Sequence, residues 1–176
     1  MGELLSVALL AFLLLGLFGM MFSAGLAEEE RYPQGDCQVS ASFPSKVLRW
    51  CSSITRYARE SDLPPDLVAA LILQESGGNP EAYSHSGAVG LMQVMPRDGL
   101  AASFRCRGRP CFHDRPSMAE LKDPEFNLHY GTRMLANLSR KYRGDMREAL
   151  RAYGPMDVGY YYADIVLSLY KKYRQR

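Results

Sequence analysis

Net charge is almost absent from this sequence. Twenty-one Lys and Arg stand against 19 Asp and Glu, a formal charge of +2. That balance demands no basic face, and no run interleaves aromatic with basic residues, so nucleic acid is not an expected partner. Cysteine is equally sparse: four are too few for a cystine-dense scaffold, although they suffice for two disulfides. No segment alternates apolar and polar residues over a strand's length, and no internal repeat is present. Disorder is not expected either, since hydrophobic residues make up 47% and charged residues 23%. A length of 176 residues suits one globular domain.

The long apolar run lies at the start. Leu4 to Leu26 carries no charge and is followed by Ala27 and the run Glu28, Glu29, Glu30, Arg31. Such a stretch is long enough to cross a bilayer, which takes roughly 20 apolar residues. Gly25 and Ala27 also resemble the small residues of a signal-peptide cleavage site. Against cleavage stand Glu3, the lack of Lys or Arg before the run, and the length of the run itself. No cysteine follows at a lipobox position. Residues 1–27 are therefore expected to be a cleaved signal peptide or an uncleaved N-terminal anchor, and both place the rest in the periplasm. Residues 28–44 follow as a linker with the first cysteine, 45–172 as the domain, and 173–176 as a basic tail.

Four cysteines permit three pairings. The local one, Cys37 with Cys51 and Cys106 with Cys111, asks least of the chain, because both loops are short and Gly108 and Pro110 form turns. Zinc is the rival, since His113 completes a C-x4-C-x-H pattern. The other two cysteines lie more than fifty residues upstream, which is poor spacing for a structural zinc site. No metal and no cofactor are expected.

Beyond residue 40 the pattern is helical throughout. Val47, Leu48, Cys51, Ile54 and Ala58 recur at helical spacing in a segment from Ser42 or Pro44 to Glu60. Pro64 and Pro65 open a second helix with Leu67, Val68, Leu71 and Ile72 as its buried stripe, closed by Gly77 and Gly78. NPEAYSHSGAVG is a loop, LMQVM a short helical or extended piece, and residues 97–122 a polar, proline-broken stretch. A long helix follows Asp123-Pro124 with Phe126, Leu128, Met134, Leu135 and Leu138 inward. Another runs from Asp145 through Tyr153. The last spans about Asp157 to Tyr173, with Tyr161, Ile165, Val166 and Leu169 as its stripe. The fold class is all-α.

Glu75 breaks the pattern. Positions 68, 71, 72 and 75 share one helical face, so a carboxylate stands where another hydrophobe is expected. Partial burial disfavours its charged form, and its place in the last helical turn works in the same direction. General acid catalysis calls for a carboxyl still protonated near neutral pH. Periodicity alone is equally satisfied by a frayed helix end that lets Glu75 reach water. Nine residues on, the Ser84 hydroxyl is placed to orient that carboxyl if the loop folds back. Gly87 and Gly90 allow close backbone approach, and Gln93 is a polar residue within an apolar run.

Together these residues resemble a family. ESGGNPEAYSHSGAVGLMQVMP, residues 75–96, is similar to the signature of the soluble lytic transglycosylase (SLT) domain. Asn127, Leu128 and Gly131 match its N-L-x-x-G segment, and ALRAYG, residues 149–154, its A-L-x-A-Y-N element. The resemblance spans roughly residues 45–172 and implies a lysozyme-like, single-domain fold. It implies Glu75 as the sole catalytic carboxylate, with Ser84, Gln93, Met95 and Tyr153 as substrate-binding residues. One departure stands out: the family's Asn after the tyrosine is Gly154 here, which removes a sugar contact and loosens the backbone.

The activity implied is cleavage of the β-1,4 bond between N-acetylmuramic acid and N-acetylglucosamine in peptidoglycan, without water, leaving 1,6-anhydromuramoyl ends. Small exported members of this kind accompany secretion or conjugation machines, which the resemblance adds as partners beside the glycan strand. Asp62 and Asp98 are the candidates for a second carboxylate, which would make the enzyme a lysozyme-type hydrolase instead. A glycan-binding module of low turnover, recruiting a secretion or transfer apparatus, is the alternative from outside enzymology. The terminal Lys171, Lys172, Arg174 and Arg176 are expected to form a solvated basic tail that touches anionic surfaces.

Overall fold

The structure is a computed structural model that describes residues 36–155 and 157–174. The apolar segment at residues 1–27 and residues 28–35 of the expected linker lie outside the described residues. Among the described residues, no helix is long and apolar enough to cross a membrane.

Helices dominate. In chain order they are α1 (Ser45–Leu48), α2 (Cys51–Glu60), α3 (Pro65–Ser76), α4 (Met118–Leu121), α5 (Pro124–Lys141), α6 (Met146–Tyr153) and α7 (Tyr161–Tyr173). A 3-10 turn at Gly99–Ser103 and a two-stranded ribbon, β1 (Arg105–Cys106) with β2 (Arg109–Pro110), complete the described elements. The core forms around α3. Leu67, Val68, Ala69, Ala70, Leu71 and Ile72 are all buried, so α3 is enclosed on every side and not along one stripe. A helix that is apolar all round belongs in a core. It packs against α1, α2 and α7, while α5 packs on α2, α4 and α6.

Local chemistry explains most boundaries. Pro65 occupies the first turn of α3, where its missing N–H is not needed, and Gly77 closes the helix in the left-handed conformation. Asp123 and Asp145 cap α5 and α6 by accepting from the backbone N–H of Phe126 and Glu148. The single helix expected between Pro44 and Glu60 divides into α1 and α2 at Arg49 and Trp50. Both side chains donate to the Gly78 carbonyl at the end of α3, the Trp50 indole at 3.1 Å, which turns the chain there.

Residues 97–122 hold more structure than their polarity suggests. Ser117 and Glu120 form a reciprocal capping box that starts α4 and seats Leu121 in the core. The Cys37–Cys51 and Cys106–Cys111 disulfides are both present, with Cα separations of 5.3 and 4.8 Å. The second spans the β1–β2 ribbon and removes the zinc alternative, because bonded sulfurs are not free to ligate. His113 instead contacts the Pro110 carbonyl and Asp114. The chain just before Pro44 joins the body: Val39 and Phe43 are buried, and the Phe43 ring stacks on Tyr173 at the end of α7. Lys171 and Lys172 are exposed on that same last turn.

Asn127 ties the helices to the long loop. Fully buried on α5, it accepts from the Met92 N–H at 2.9 Å and donates to the carbonyls of Val89 and Leu121 at 2.8 and 2.9 Å. Gly90 makes room for it. A side chain there would begin 2.4 Å from the Asn127 amide nitrogen, and its φ of +77° suits glycine alone. Replacing Asn127 with alanine takes the partner from the buried Met92 N–H and a donor from the Leu121 carbonyl, while the Val89 carbonyl keeps the Val94 N–H, at about 1–3 kcal/mol for each group left unsatisfied. Asn127→Ala is therefore expected to lower stability by about 3 kcal/mol in urea unfolding, and a change within about 0.5 kcal/mol would contradict this role.

Candidate active site

Glu75 lies in the last turn of α3, half-buried, where the enclosed helix comes to the surface. Tyr162, in the first turn of α7 and 6% exposed, donates its hydroxyl to Glu75 Oε1. Burial raises the Glu75 pKa from its ordinary 4.5 to about 7, and the Tyr162 hydrogen bond pulls the other way without cancelling it. The phenol is pushed upward in turn by burial and by the neighbouring carboxylate, so it remains a donor. Near neutral pH this carboxyl is poised to give a proton and to take one back.

Tyr153 closes α6 and donates to the Met92 carbonyl at 2.9 Å. Burial and the negative charge of Glu75 both raise its pKa, so it too stays protonated beside the acid. Met92 is buried in the loop between α3 and α4, a loop strung together by single bridges from Val89 to Tyr83 and to Val94. LMQVM is accordingly neither a helix nor a strand. Its backbone is shaped by Asn127 and by Gly131 of α5, which lacks the side chain that would meet the Met92 sulfur at 2.7 Å.

The other expected site residues share this loop. Ser84 spends its hydroxyl within it, accepting from the Ala88 N–H at 2.8 Å, while its own N–H donates to the Ala88 carbonyl at 2.9 Å. The hydrogen-bond partner of Glu75 is Tyr162. Gln93 adopts a positive φ of 44° and donates its amide to the carbonyls of Ala82 and Gly90, which turns its carbonyl oxygen over to other partners. Met95 is half-buried. Asp98 accepts from the Met118 N–H at 2.7 Å and so serves the start of α4, and Asp62 occupies a positive-φ turn after α2. Neither contributes to the ionisation of Glu75, which answers only to burial and to Tyr162.

Tyr162 went unmarked in the sequence because it is one of three consecutive tyrosines. Of the expected stripe, Val166 and Leu169 do face inward, but its first member does not: Tyr161 is 71% exposed and Tyr162 is buried. Tyr162, Val166, Leu169 and Tyr173 form an equally regular helical stripe, and it is this one that faces inward, with Tyr162 and Val166 buried and Leu169 and Tyr173 packed on the core. An acid 87 residues away decides between them.

The family model of the transglycosylase SLT domain matches residues 52–158. The endo-type membrane-bound lytic murein transglycosylase A of Klebsiella pneumoniae is 33% identical over 121 residues, covering 68% of this chain and 57% of the relative. The membrane-bound lytic murein transglycosylase E of Buchnera aphidicola is 34% identical over 101 residues, covering 57% of this chain and 44% of the relative. The chain thus spans about half the length of these relatives. An inactive mutant of the lytic transglycosylase Slt from Pseudomonas aeruginosa shares the fold, with a TM-score of 0.54 at 23% identity over 69% of this chain and 23% of that one. That family model covers more than half of the chain, including α3, the long loop, α5 and α6, and the chain belongs to the transglycosylase SLT domain family.

Proposed function

We propose that this chain is a peptidoglycan lytic transglycosylase that cleaves the N-acetylmuramic acid–β-1,4–N-acetylglucosamine bond without water. The observation that carries this reading is a single half-buried carboxyl with a pKa of about 7, held by one phenol, on which no second carboxylate acts among the described residues. Protonated Glu75 gives its proton to the glycosidic oxygen as the bond breaks. Other glycosidases meet the charge developing at C1 with a second carboxylate. Here the acetamido group of the sugar supplies that stabilisation from within the substrate. Ionised Glu75 then takes the proton of the C6 hydroxyl, which closes on C1 and leaves a 1,6-anhydromuramoyl end. The nucleophile belongs to the same sugar ring, so its approach costs little entropy.

In this reading Tyr153 faces the acetamido group, Gln93 offers its free carbonyl oxygen to a sugar hydroxyl, and Met95 and Ser84 line the same cleft. The two relatives are named as murein enzymes of the membrane, and two disulfides suit an oxidising compartment, so the site of action is the periplasm. The deciding experiment is mass spectrometry of muropeptides released from purified peptidoglycan by the full chain. Products one water lighter than reducing muropeptides are expected. Reducing ends would instead make the protein a hydrolase, and glycan binding with no product would make it a recruitment module.

A further inference from the structure

Arg115 is a cation without a carboxylate partner among the described residues. It follows the cystine-clamped ribbon, half-buried, in the stretch that leads from β2 into α4. Its guanidinium lies over the Phe112 ring, 4.8 Å from the centroid, and its backbone is pinned on both sides. The Arg115 N–H donates to the Phe112 carbonyl at 3.0 Å, its own carbonyl accepts from the Arg97 guanidinium at 3.2 Å, and the Arg97 N–H reaches the Pro116 carbonyl at 2.9 Å. The charge sits within electrostatic reach of Tyr130 and Tyr153, and Tyr153 in turn feels Glu75. The arginines that do form ion pairs among the described residues are about 40% exposed or more, each with an acid that is itself partly exposed. Among the described residues Arg115 is the half-buried arginine that has no ion pair, and partial burial without a counter-ion works against its charge.

A fixed, partly desolvated guanidinium with its fork unengaged suits a planar anion. Murein offers one chemistry of that kind, the carboxylate. It occurs on the lactyl ether of a peptide-free muramic acid and on the stem peptide of a substituted one, whereas N-acetylglucosamine has none. We propose that Arg115 forms a carboxylate-binding subsite beside Tyr153, which tells the muramic acid side of the scissile bond from the glucosamine side. This rests on the transglycosylase reading above and adds what sets the register of the strand.

The test measures dissociation constants by calorimetry for the full chain carrying Glu75→Gln, so that nothing is turned over. The same background is combined with Arg115→Gln and with Arg115→Lys. Three probes of equal sugar number are used: an N-acetylglucosamine oligomer, a peptide-free alternating murein oligomer, and the same oligomer with its stem peptides. Arg115→Gln is expected to weaken carboxylate-bearing probes by about tenfold to a hundredfold while leaving the uncharged oligomer within about twofold. Arg115→Lys keeps the charge but not the fork, and is expected to fall between the two. A loss already present on the peptide-free strand assigns the lactyl carboxylate, and a loss confined to the substituted strand assigns the stem peptide. Equal weakening of all three probes, or of none, overturns the subsite. Failure of every probe to bind the Glu75→Gln chain itself overturns the transglycosylase reading with it.

Discussion

Replacing Glu75 with glutamine is expected to lower release of anhydro-muropeptides by a hundredfold to ten-thousandfold, the range in which a positioned acid and base contributes. The upper end is expected because the same oxygen gives the first proton and receives the second. The wild-type pH profile carries the same signature. A group that must be protonated at the start of each turnover is competent below its pKa and lost above it, so kcat/KM is expected to fall as pH rises through about 7. Stability moves in the same direction, for a different reason. Glu75 titrates near 4.5 in the unfolded chain and near 7 in the folded one, so between those values the folded state holds the extra proton and loses stability as pH rises. Glutamine does not titrate. Glu75→Gln should therefore unfold like wild type at pH 4 and be the more stable protein at pH 8, by up to about 3 kcal/mol. A variant that is inactive and also less stable at pH 8 would show that Glu75 serves the fold and not the reaction.

How much of this was visible in the residues follows from distance along the chain. The second helix, its proline start and its glycine stop are local, and they appear where the sequence puts them. Glu75 was also visible, although for a reason that needs amending. By spacing it extends an apolar stripe, whereas α3 is enclosed on all sides and Glu75 marks the point where that helix emerges. The long loop gave up its identity as a loop but not its geometry, since Asn127, 35 residues beyond Met92, holds its shape. Tyr162 lies further still, and nothing within three turns of it distinguishes it from Tyr161. Arg115 sits in the polar, proline-broken stretch, and the tyrosine whose charge it feels, Tyr153, closes α6 some forty residues on. Contacts made by neighbours in sequence were legible; contacts made across the core were not.

Gly154→Ala is expected to reduce turnover by about tenfold to a hundredfold, although the substitution adds one methyl group to a residue that touches no substrate in the mechanism above. The family resemblance suggests a glycine that loosens the backbone, but φ −72° and ψ −171° are open to any residue. Space is what requires glycine here. A β-carbon at 154 would stand 2.3, 2.6 and 2.8 Å from Cδ1, Cγ and Cε1 of the Tyr162 ring. That ring is buried and must shift to admit the methyl group, which draws its hydroxyl away from Glu75. Overpacking of this kind costs about 1–3 kcal/mol of stability. Tyr162→Phe separates the two consequences, because it keeps the ring and removes the donor. The hydrogen bond is the influence that lowers the Glu75 pKa, so its loss should carry the alkaline limb of the phenylalanine variant's pH profile upward from about 7. The sharper comparison is Gly154→Asn, which restores the residue that the family places after the tyrosine. If an amide at this position served mainly to hold a sugar, the asparagine variant would be more active than wild type. With the Tyr162 ring already in that space, it should be less active than Gly154→Ala and less stable, and thermal unfolding beside steady-state rates would show both.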